Sequence, residues 1–465
     1  MKDVNLSPAQ SLRDNPWMRW GALVLLSLTM FFAYMFVDVL SPLKSQLESS
    51  IGWNDTAFGF YAGSEFFLNV FVGFLIFAGI ILDKMGVRFT AILSGSLMVI
   101  GALIKVYGLS ESFNAGGFGY EFMNAFWTDL PASVKMSSLG FMLFGCGTEM
   151  AGVTVSRAIV KWFQGKEMAL AMGIEMAIAR LGVFSIFWIS PWLAKEYGTV
   201  SAPVILCTLL LTIGLFLYIV YGFMDKALDR EGTDADEEEE PFRFSDLGKV
   251  FGNGAFWIVA LLCVLYYSAI FPFQKFAAEM LQNKVGFELE YATKLFSLFP
   301  IGAMIITPLL GTFLDRVGKG ATMLIIGSVL MIVSHSIFAL YPFAGGTGTD
   351  TAIALTAIIV LGISFSLVPA TLWPSVPKLI DSKVLGSAYS AIFWIQNIGL
   401  MTVPMLIGTV LEASNPSLTA GQPKDYTMAM LVFTAFGVLA FVMAFLLKAI
   451  DAKRGFGLEA PNVKH

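Results

Sequence analysis

Long apolar segments recur from one end of this sequence to the other. A helix needs roughly 20 mostly apolar residues to cross the hydrocarbon core of a membrane. Twelve segments meet that length: 17–41, 57–82, 89–109, 136–160, 167–194, 202–224, 254–281, 292–314, 321–342, 352–377, 384–411 and 427–450. Only 14% of the residues are charged, against roughly 25% in soluble domains. A soluble fold could not cover so much apolar surface, so we exclude a soluble enzyme and predict an integral membrane protein.

One polar stretch divides the twelve segments into two sets of six. Residues 225–250 include Pro241 and the acidic run 237–240. We interpret this stretch as a cytoplasmic linker between an N-terminal six-helix bundle, 1–224, and a C-terminal six-helix bundle, 251–465. The predicted fold is therefore all-α, with twelve transmembrane helices in two pseudo-symmetric bundles.

The distribution of lysine and arginine predicts the orientation, because these residues are enriched in cytoplasmic loops. If both termini are cytoplasmic, 20 of the 29 lysines and arginines lie on the cytoplasmic side. Eight lie outside or near the outer face: Lys44, Lys105, Lys135, Lys195, Lys275, Lys284, Lys294 and Lys424. The remaining one, Arg180, lies inside a predicted membrane helix.

A short loop motif occurs twice, 232 positions apart, and this spacing indicates two parallel repeats. Both copies read Gly, three residues, Asp, a basic residue, one residue and Gly. A glycine permits close helix approach, and an aspartate at a helix end can pair with Arg or Lys. We interpret the motif as a conformational latch, the alternative being a plain turn with solvated charges. The predicted latch residues are Gly79, Asp83, Gly86, Arg88, Asp315 and Arg316.

Two opposite charges lie in the middle of neighbouring segments. An ionisable residue at this depth costs roughly 2.5–3.5 kcal/mol and is a functional candidate by default. Glu149 shares a helix face with Gly145 and Gly152, the pattern of a cavity wall. Arg180 follows in the next segment. Each is about 15 residues from the connecting loop 164–166, so both lie roughly 22 Å deep at 1.5 Å per residue.

Two interpretations of this pair remain open. In the first, Glu149 and Arg180 form a buried salt bridge that fixes helix packing. In the second, they are opposite poles of a binding site, because the Arg fork matches a carboxylate and Glu accepts hydrogen bonds from an ammonium. A cargo that carries both groups is an amino acid or a short peptide. The second bundle has no matching charges, and we expect it to contribute Tyr267, Trp373 and Asn397 to the opposite wall.

Other intramembrane charges are weaker candidates. Glu65, in the outer third of segment two, could be a gate residue or a proton acceptor. Glu175 is about 140° around the helix from Arg180, so we expect it to face a neighbouring helix or the cytoplasmic cavity, as a second possible proton site. We expect Asp38 to be hydrated at the outer end of segment one and His335 to be a packing residue.

Several runs of residues resemble the lysosomal dipeptide-transporter branch of the major facilitator superfamily. The repeated loop resembles the signature loop of the whole superfamily and is unspecific. The more specific runs are Gly147-Thr-Glu149, Trp162-Phe163-Gln-Gly165-Lys166-Glu167, Ala179-Arg180, Tyr266-Tyr267, Phe271-Pro272-Phe273, Leu372-Trp373-Pro374, Leu385-Gly386-Ser-Ala-Tyr389 and Ile395-Gln396-Asn397-Ile-Gly399. The resemblance covers nearly all twelve segments.

The resemblance implies a dipeptide cargo carried by alternating access and facilitated diffusion. It implies that Glu149 receives the peptide ammonium and that Arg180 binds the carboxylate. The sequence departs from the expected pattern at Glu175, where a glutamine is expected, and this adds a titratable group near the path. Two rivals remain: a proton-coupled symporter of organic anions or amino acids, and a non-transporting membrane sensor or scaffold.

The sequence contains no nucleophile–base pair, metal-ligand cluster or nucleotide-binding loop, so we predict neither an enzyme nor a bound cofactor or metal. The expected partners are the dipeptide and the lipid bilayer. Nucleic acid is not among them, an accessory subunit is not implied, and we expect a monomer. The N-terminus lacks an acidic dileucine signal, and Asn54-Asp55-Thr56 is a lone glycosylation sequon. We therefore expect a prokaryotic inner membrane with both termini cytoplasmic.

Overall fold

The computed structural model describes residues 12–230, 244–416, 418 and 421–461, and this part of the chain is helical. The helices of the N-terminal half are α1 (Pro16–Val37), α2 (Lys44–Ile51), α3 (Asp55–Ser64), α4 (Phe67–Phe71), α5 (Phe74–Leu109), α6 (Glu111–Asn114), α7 (Tyr120–Asn124), α8 (Ala132–Phe163), α9 (Met168–Tyr197) and α10 (Ser201–Asp229). Those of the C-terminal half are α11 (Leu247–Phe251), α12 (Gly254–Met280), α13 (Leu289–Phe296), α14 (Leu298–Val317), α15 (Gly320–Leu340), α16 (Gly348–Leu379), α17 (Leu385–Ser414) and α18 (Thr427–Arg454).

Segment two differs from the prediction, because it is not one continuous helix. Helix α3 ends at Ser64, the short α4 follows, and the rest of the segment begins α5. Helix α5 continues through segment three across Gly86, whose φ of 76° lies in the left-handed region that favours glycine. As a result, eleven helices in the described residues are individually long and apolar enough to cross a membrane, although all twelve segments are helical.

The predicted linker begins inside a helix. Helix α10 continues to Asp229, so the first residues of 225–250 belong to the bundle. Residues 231–243, which contain the acidic run, lie outside the described residues. The domain boundaries at 224 and 251 therefore stay predictions.

Ion pairs and close backbone contacts join the two halves at one end of the bundle. We call the end that carries Lys44 and Lys424 the sealed end, and the end that carries Gly86 and Gly318 the loop end. Helices α3 and α17 pack backbone to backbone towards the sealed end. A Cβ on Gly59 would lie 2.4 Å from the carbonyl oxygen of Pro404.

The first glycine of each copy of the latch motif makes no such contact. A Cβ on Gly79 or on Gly311 would meet nothing within 4 Å. The close helix approach expected at Gly79 is therefore absent in this conformation. Among the described residues, no hydrogen bond or ion pair joins the two halves at the loop end.

Candidate functional site

The guanidinium of Arg180 lies against aromatic rings of the opposite half. Arg180 projects from α9, and its central carbon is 5.0 Å from the centroid of Phe365 and 5.8 Å from that of Phe271. These distances are within the range of a cation–π contact. Arg180 makes no hydrogen bond or ion pair with any described residue, so its five N–H donors are free for a ligand.

Glu149 is also without a partner. It lies half-buried on α8 and forms neither a hydrogen bond nor an ion pair among the described residues. In particular, no guanidinium nitrogen of Arg180 lies within 4 Å of a carboxylate oxygen of Glu149. The packing salt bridge, one of the two sequence-based interpretations, is therefore not formed in this conformation.

Aromatic side chains extend from Arg180 along the C-terminal half. The Tyr267 ring stacks on Phe271 at 5.6 Å, and Trp373 Nε1 donates a hydrogen bond of 3.1 Å to the Tyr267 hydroxyl. Phe393 stacks on Trp373 at 4.8 Å. Of the three residues predicted for this wall, Tyr267 and Trp373 therefore contact each other. Asn397 is buried on α17, one helical turn beyond Phe393.

Tyr34 is a candidate that the sequence interpretation missed. It lies half-buried on α1, within electrostatic range of Arg180, Glu149 and Glu175. Tyr267 of the other half is within electrostatic range of both Arg180 and Tyr34. A tyrosine carries no charge at neutral pH, and nothing in the local sequence pattern distinguishes Tyr34 within its apolar segment.

Glu175 shares the neighbourhood of Arg180. It is half-buried on α9 and interacts electrostatically with Arg180, but it makes no hydrogen bond or ion pair among the described residues. The structure therefore brings a second free carboxylate close to the guanidinium.

Glu65 lies at the break in segment two, beside α8. A Cβ on Gly145 would lie 2.0 Å from the Glu65 carbonyl oxygen. Gly145 was expected to line a cavity with Gly152, and this is wrong, because it is packed against backbone. Gly152 fits the prediction, since a Cβ there would meet nothing within 4 Å.

A buried charge cluster joins the halves near Glu65. Lys275 Nζ of α12 is 3.1 Å from Asp38 Oδ1 and 3.9 Å from Glu65 Oε2, and it donates to the Val37 carbonyl at 2.8 Å. Gln274 Nε2 donates to the other Asp38 oxygen. Asp38 is only 1% exposed, so the expectation that it is simply hydrated is wrong.

A second cluster closes the sealed end. Lys44 pairs with Asp55 of its own half and with Glu279 of the other half. Lys424 Nζ reaches back to Asp55 at 2.9 Å and to Glu48. Burial by itself would raise the pKa of Asp55, but Lys44 and Lys424 outweigh burial and hold it below its usual value. We call these five residues the seal cluster.

The first copy of the latch motif forms ion pairs within the N-terminal half. Asp83 accepts from Arg157 Nη2 at 3.2 Å. Arg88 Nη1 lies 3.2 Å from Asp229, and its Nε lies 3.9 Å from Asp225. Both aspartates belong to the end of α10, so this copy ties α5 to α8 and α10.

The second copy contacts the chain's own C-terminal tail. Lys319 and Gly320 donate backbone hydrogen bonds to Glu459 and Leu458, each at 3.0 Å. Asp315 and Arg316 are exposed at the end of α14. The two copies therefore share a glycine with a positive φ but have different partners, and a latch between the halves stays a prediction.

The family model of the Major Facilitator Superfamily matches residues 26–404. The chain belongs to the Major Facilitator Superfamily. It is therefore a multi-pass membrane transporter and not an enzyme. The all-α fold predicted from the apolar segments is confirmed.

Similar proteins share the predicted branch of the superfamily. The lysosomal dipeptide transporter MFSD1 of Danio rerio is 26% identical over 439 residues, covering 92% of this chain and 86% of its own length. The protein of the same name from Homo sapiens is 24% identical over 447 residues, with 94% and 87% covered. The resemblance stated from the motifs is thus confirmed at modest identity.

Solved transporters show the same fold. A bacterial homologue of the human lysosomal transporter Spinster, inward-facing and occupied, aligns with a TM-score of 0.67 and 15% identity over 94% of this chain and 98% of its own. The nucleoside transporter NupG aligns with a TM-score of 0.65 and 15% identity over 92% and 98%. At these identities the likeness shows the fold alone.

Proposed function

We propose that this transporter carries dipeptides by facilitated diffusion, with Arg180 and Glu149 reading the two ends of the peptide. The observation that carries the proposal is that both charges are unpaired among the described residues, on two consecutive helices of one half. Opposite charges in a membrane interior ordinarily pair with one another. A zwitterionic cargo supplies the missing partner to each. The relatives named as dipeptide transporters support the same cargo.

The surroundings suit a cargo of varied side chains. The peptide carboxylate would form a bidentate pair with Arg180, which already rests on Phe365 and Phe271. The ammonium would donate to Glu149. The aromatic wall of Tyr267 and Trp373 offers apolar surface to the side chains without selecting one shape. Tyr34, within electrostatic range of Tyr267, and the buried Asn397 would add neutral polar groups to the site.

The conformation fits alternating access. The seal cluster closes one end, and no bond joins the halves at the loop end among the described residues. We propose that the loop end faces the cytoplasm of a prokaryotic cell, so that this is the inward-facing state of an inner-membrane protein acting as a monomer. We propose that Asp83, Arg88, Asp315 and Arg316 contribute to a latch between the halves in the opposite state.

Counterflow in liposomes tests the cargo. Vesicles loaded with an unlabelled dipeptide should accumulate a labelled dipeptide without an ion gradient. Glu149→Gln and Arg180→Ala should each abolish this uptake, whereas Glu196→Gln, an exposed carboxylate on the same half, should leave it unchanged. Full counterflow by either site variant would contradict the assignment of the poles.

The rival function is a proton-coupled symporter of organic anions or amino acids. The free carboxylate of Glu175 beside Arg180 favours it, because a titratable group at a site can carry a proton. Uptake that rises with an inward proton gradient and collapses with an uncoupler, and that Glu175→Gln makes independent of the gradient, would establish the rival. Uptake insensitive to the uncoupler supports facilitated diffusion.

A further inference from the structure

Lys105 is a buried charge without a partner. It lies on α5 with no exposed surface, and its Nζ makes no hydrogen bond or ion pair among the described residues. Three ring faces surround it: the centroids of Phe36, Phe141 and Tyr61 lie 4.1, 4.5 and 5.0 Å from Nζ. Ring faces offset only part of the cost of burying an ammonium. The contacts of Lys105 in this conformation therefore do not account for a charged side chain at this buried position.

Glu65 is a buried carboxylate with a poor partner. Its Oε2 makes no hydrogen bond, and the cation nearest to it is Lys275 of the other half at 3.9 Å. Lys275 is closer to Asp38 and to the Val37 carbonyl, so Glu65 is its weakest contact. Two buried groups of opposite charge are thus both under-satisfied in one region.

Lys105 and Glu65 are neighbours inside the N-terminal half. Tyr61, which contributes a ring to the surroundings of Lys105, precedes Glu65 by one turn of helical backbone and so lies on the same face. The two charges are within electrostatic range of each other. Helix α3 ends at Ser64, so Glu65 stands at the break between α3 and α4.

The division of these charges between the two halves gives a role to Lys105 and Glu65 as neighbours. Asp38, Glu65 and Lys105 belong to the N-terminal half, and Lys275 belongs to the C-terminal half. When the sealed end opens, Lys275 leaves with its half, and two buried carboxylates stay behind. An unpaired buried carboxylate is strongly destabilising. We propose that Glu65 then exchanges Lys275 for Lys105, which is the reserve counter-ion of the open state.

The exchange lowers the free-energy cost of opening the sealed end. In the sealed state Lys275 pairs closely with Asp38 and more weakly with Glu65 across the interface. In the open state Lys105 pairs with Glu65 from within the same half, so Glu65 has a counter-ion in both states. The device is independent of the cargo, and it can be tested without knowing what the protein carries.

Distance measurements test the exchange. Spin labels at Glu111→Cys and Glu288→Cys, two exposed positions at the sealed end, report the separation of the halves in nanodiscs. The native cysteines Cys146, Cys207 and Cys263 are buried. Lys424→Met weakens the seal cluster and provides a background with a measurable open population.

In that background, Lys105→Met should lower the open population by about tenfold or more, because Glu65 is then stranded. Glu65→Gln should lower the open population less, because it removes the Glu65–Lys105 pair of the open state without leaving a buried carboxylate unpaired. The double variant should match Glu65→Gln and so partly rescue Lys105→Met. Lys195→Met, an exposed lysine at the same end, should have no effect.

Two results would overturn the proposal. The first is that Lys105→Met behaves like the Lys195→Met control. The second is that Glu65→Gln raises the open population, as expected if Glu65 served only to hold Lys275 in the sealed state. The second result decides the question even if Lys105→Met does not fold.

Discussion

At the scale of single residues, the charged side chains fall into two groups: those that form ion pairs, and those that form none among the described residues. Lys44, Asp55 and Lys424 satisfy one another across the halves. Glu149 and Arg180 form no hydrogen bond or ion pair with any described residue. In a low-dielectric interior the second group is costly, and this cost is the physical argument for a charged cargo.

The shape of the guanidinium gives the first prediction. Arg180→Lys keeps the charge but loses the planar fork and the fit to the rings of Phe365 and Phe271. We expect dipeptide binding to weaken by roughly tenfold or more, as measured by calorimetry. Arg230→Lys, at an exposed position, should bind as the native chain does. Native affinity in Arg180→Lys would mean that the carboxylate is not held in a bidentate manner.

The charge of Asp55 gives the second prediction, because the pKa of this residue is held below its usual value. Its ion pairs stabilise the protein fully above the ordinary carboxyl pKa and are lost as pH falls through the lowered value. The difference in melting temperature between the native chain and Asp55→Asn should therefore be constant from pH 8 to pH 5. It should shrink only below about pH 4. A difference that disappears near pH 6 would show that Asp55 is not held ionised by Lys44 and Lys424.

The sequence predicted some of these residues and missed others for a physical reason. Arg180 and Glu149 stand out because each is a charge deep inside an apolar segment. Lys275, Lys105 and Lys424 were counted only as markers of the outer face, since each lies near a segment end. Their burial depends on tertiary contacts between halves, which no local pattern encodes. Tyr34 was missed because it carries no charge.

At the scale of the helices, glycines fix where backbones touch. A Cβ on Gly145 would collide with the Glu65 carbonyl at 2.0 Å, whereas one on Gly152, two turns further along α8, would enter open space. Gly145→Ala should therefore destabilise the protein by about 1–3 kcal/mol, and Gly152→Ala should not. Thermal unfolding in detergent compares the two variants. Equal melting temperatures would contradict the contact at the break in segment two.

The α3–α17 contact predicts an effect on conformation. A Cβ on Gly408 would lie 2.3 Å from the Asp55 carbonyl oxygen, so Gly408→Ala should force the halves apart at the sealed end. Gly79→Ala, which meets nothing in this conformation, is the matched control. Alkylation of a cysteine placed at Thr56 should become faster in Gly408→Ala alone. Equal rates in both variants would mean that the helices tolerate the added methyl group without parting.

The helices themselves were mostly predictable, because apolar length alone marks a membrane segment. The break at Glu65 and the continuity of α5 through Gly86 were not. Hydropathy averages over a window, and it is blind to one residue with a positive φ or to a packing contact that interrupts a helix. Hydropathy also predicts the end of α10 too early. Asp225 and Asp229 are polar, as in a linker, but both belong to the helix and pair with Arg88.

At the scale of the whole molecule, three layers follow one another along the path between the halves. The seal cluster closes one end, Lys275 with Asp38 and Glu65 lies next to it, and the unpaired Glu149 and Arg180 follow. The loop end is free of bonds between the halves among the described residues. This order of layers is the one expected of the inward-facing state that we propose, with the binding charges lying on the loop-end side of the seal cluster.

The central claim is that Arg180 and Glu149 read opposite ends of one dipeptide, and calorimetry on four ligands tests it most directly. The ligands are a free dipeptide, its amide, its N-acetyl form and the doubly blocked form. Each is titrated into the native chain, Arg180→Ala and Glu149→Gln. We predict that amidation weakens binding to the native chain and to Glu149→Gln but not to Arg180→Ala, and that acetylation shows the reverse dependence. If blocking either end still weakens binding equally in all three proteins, other residues read the peptide ends and the account is wrong.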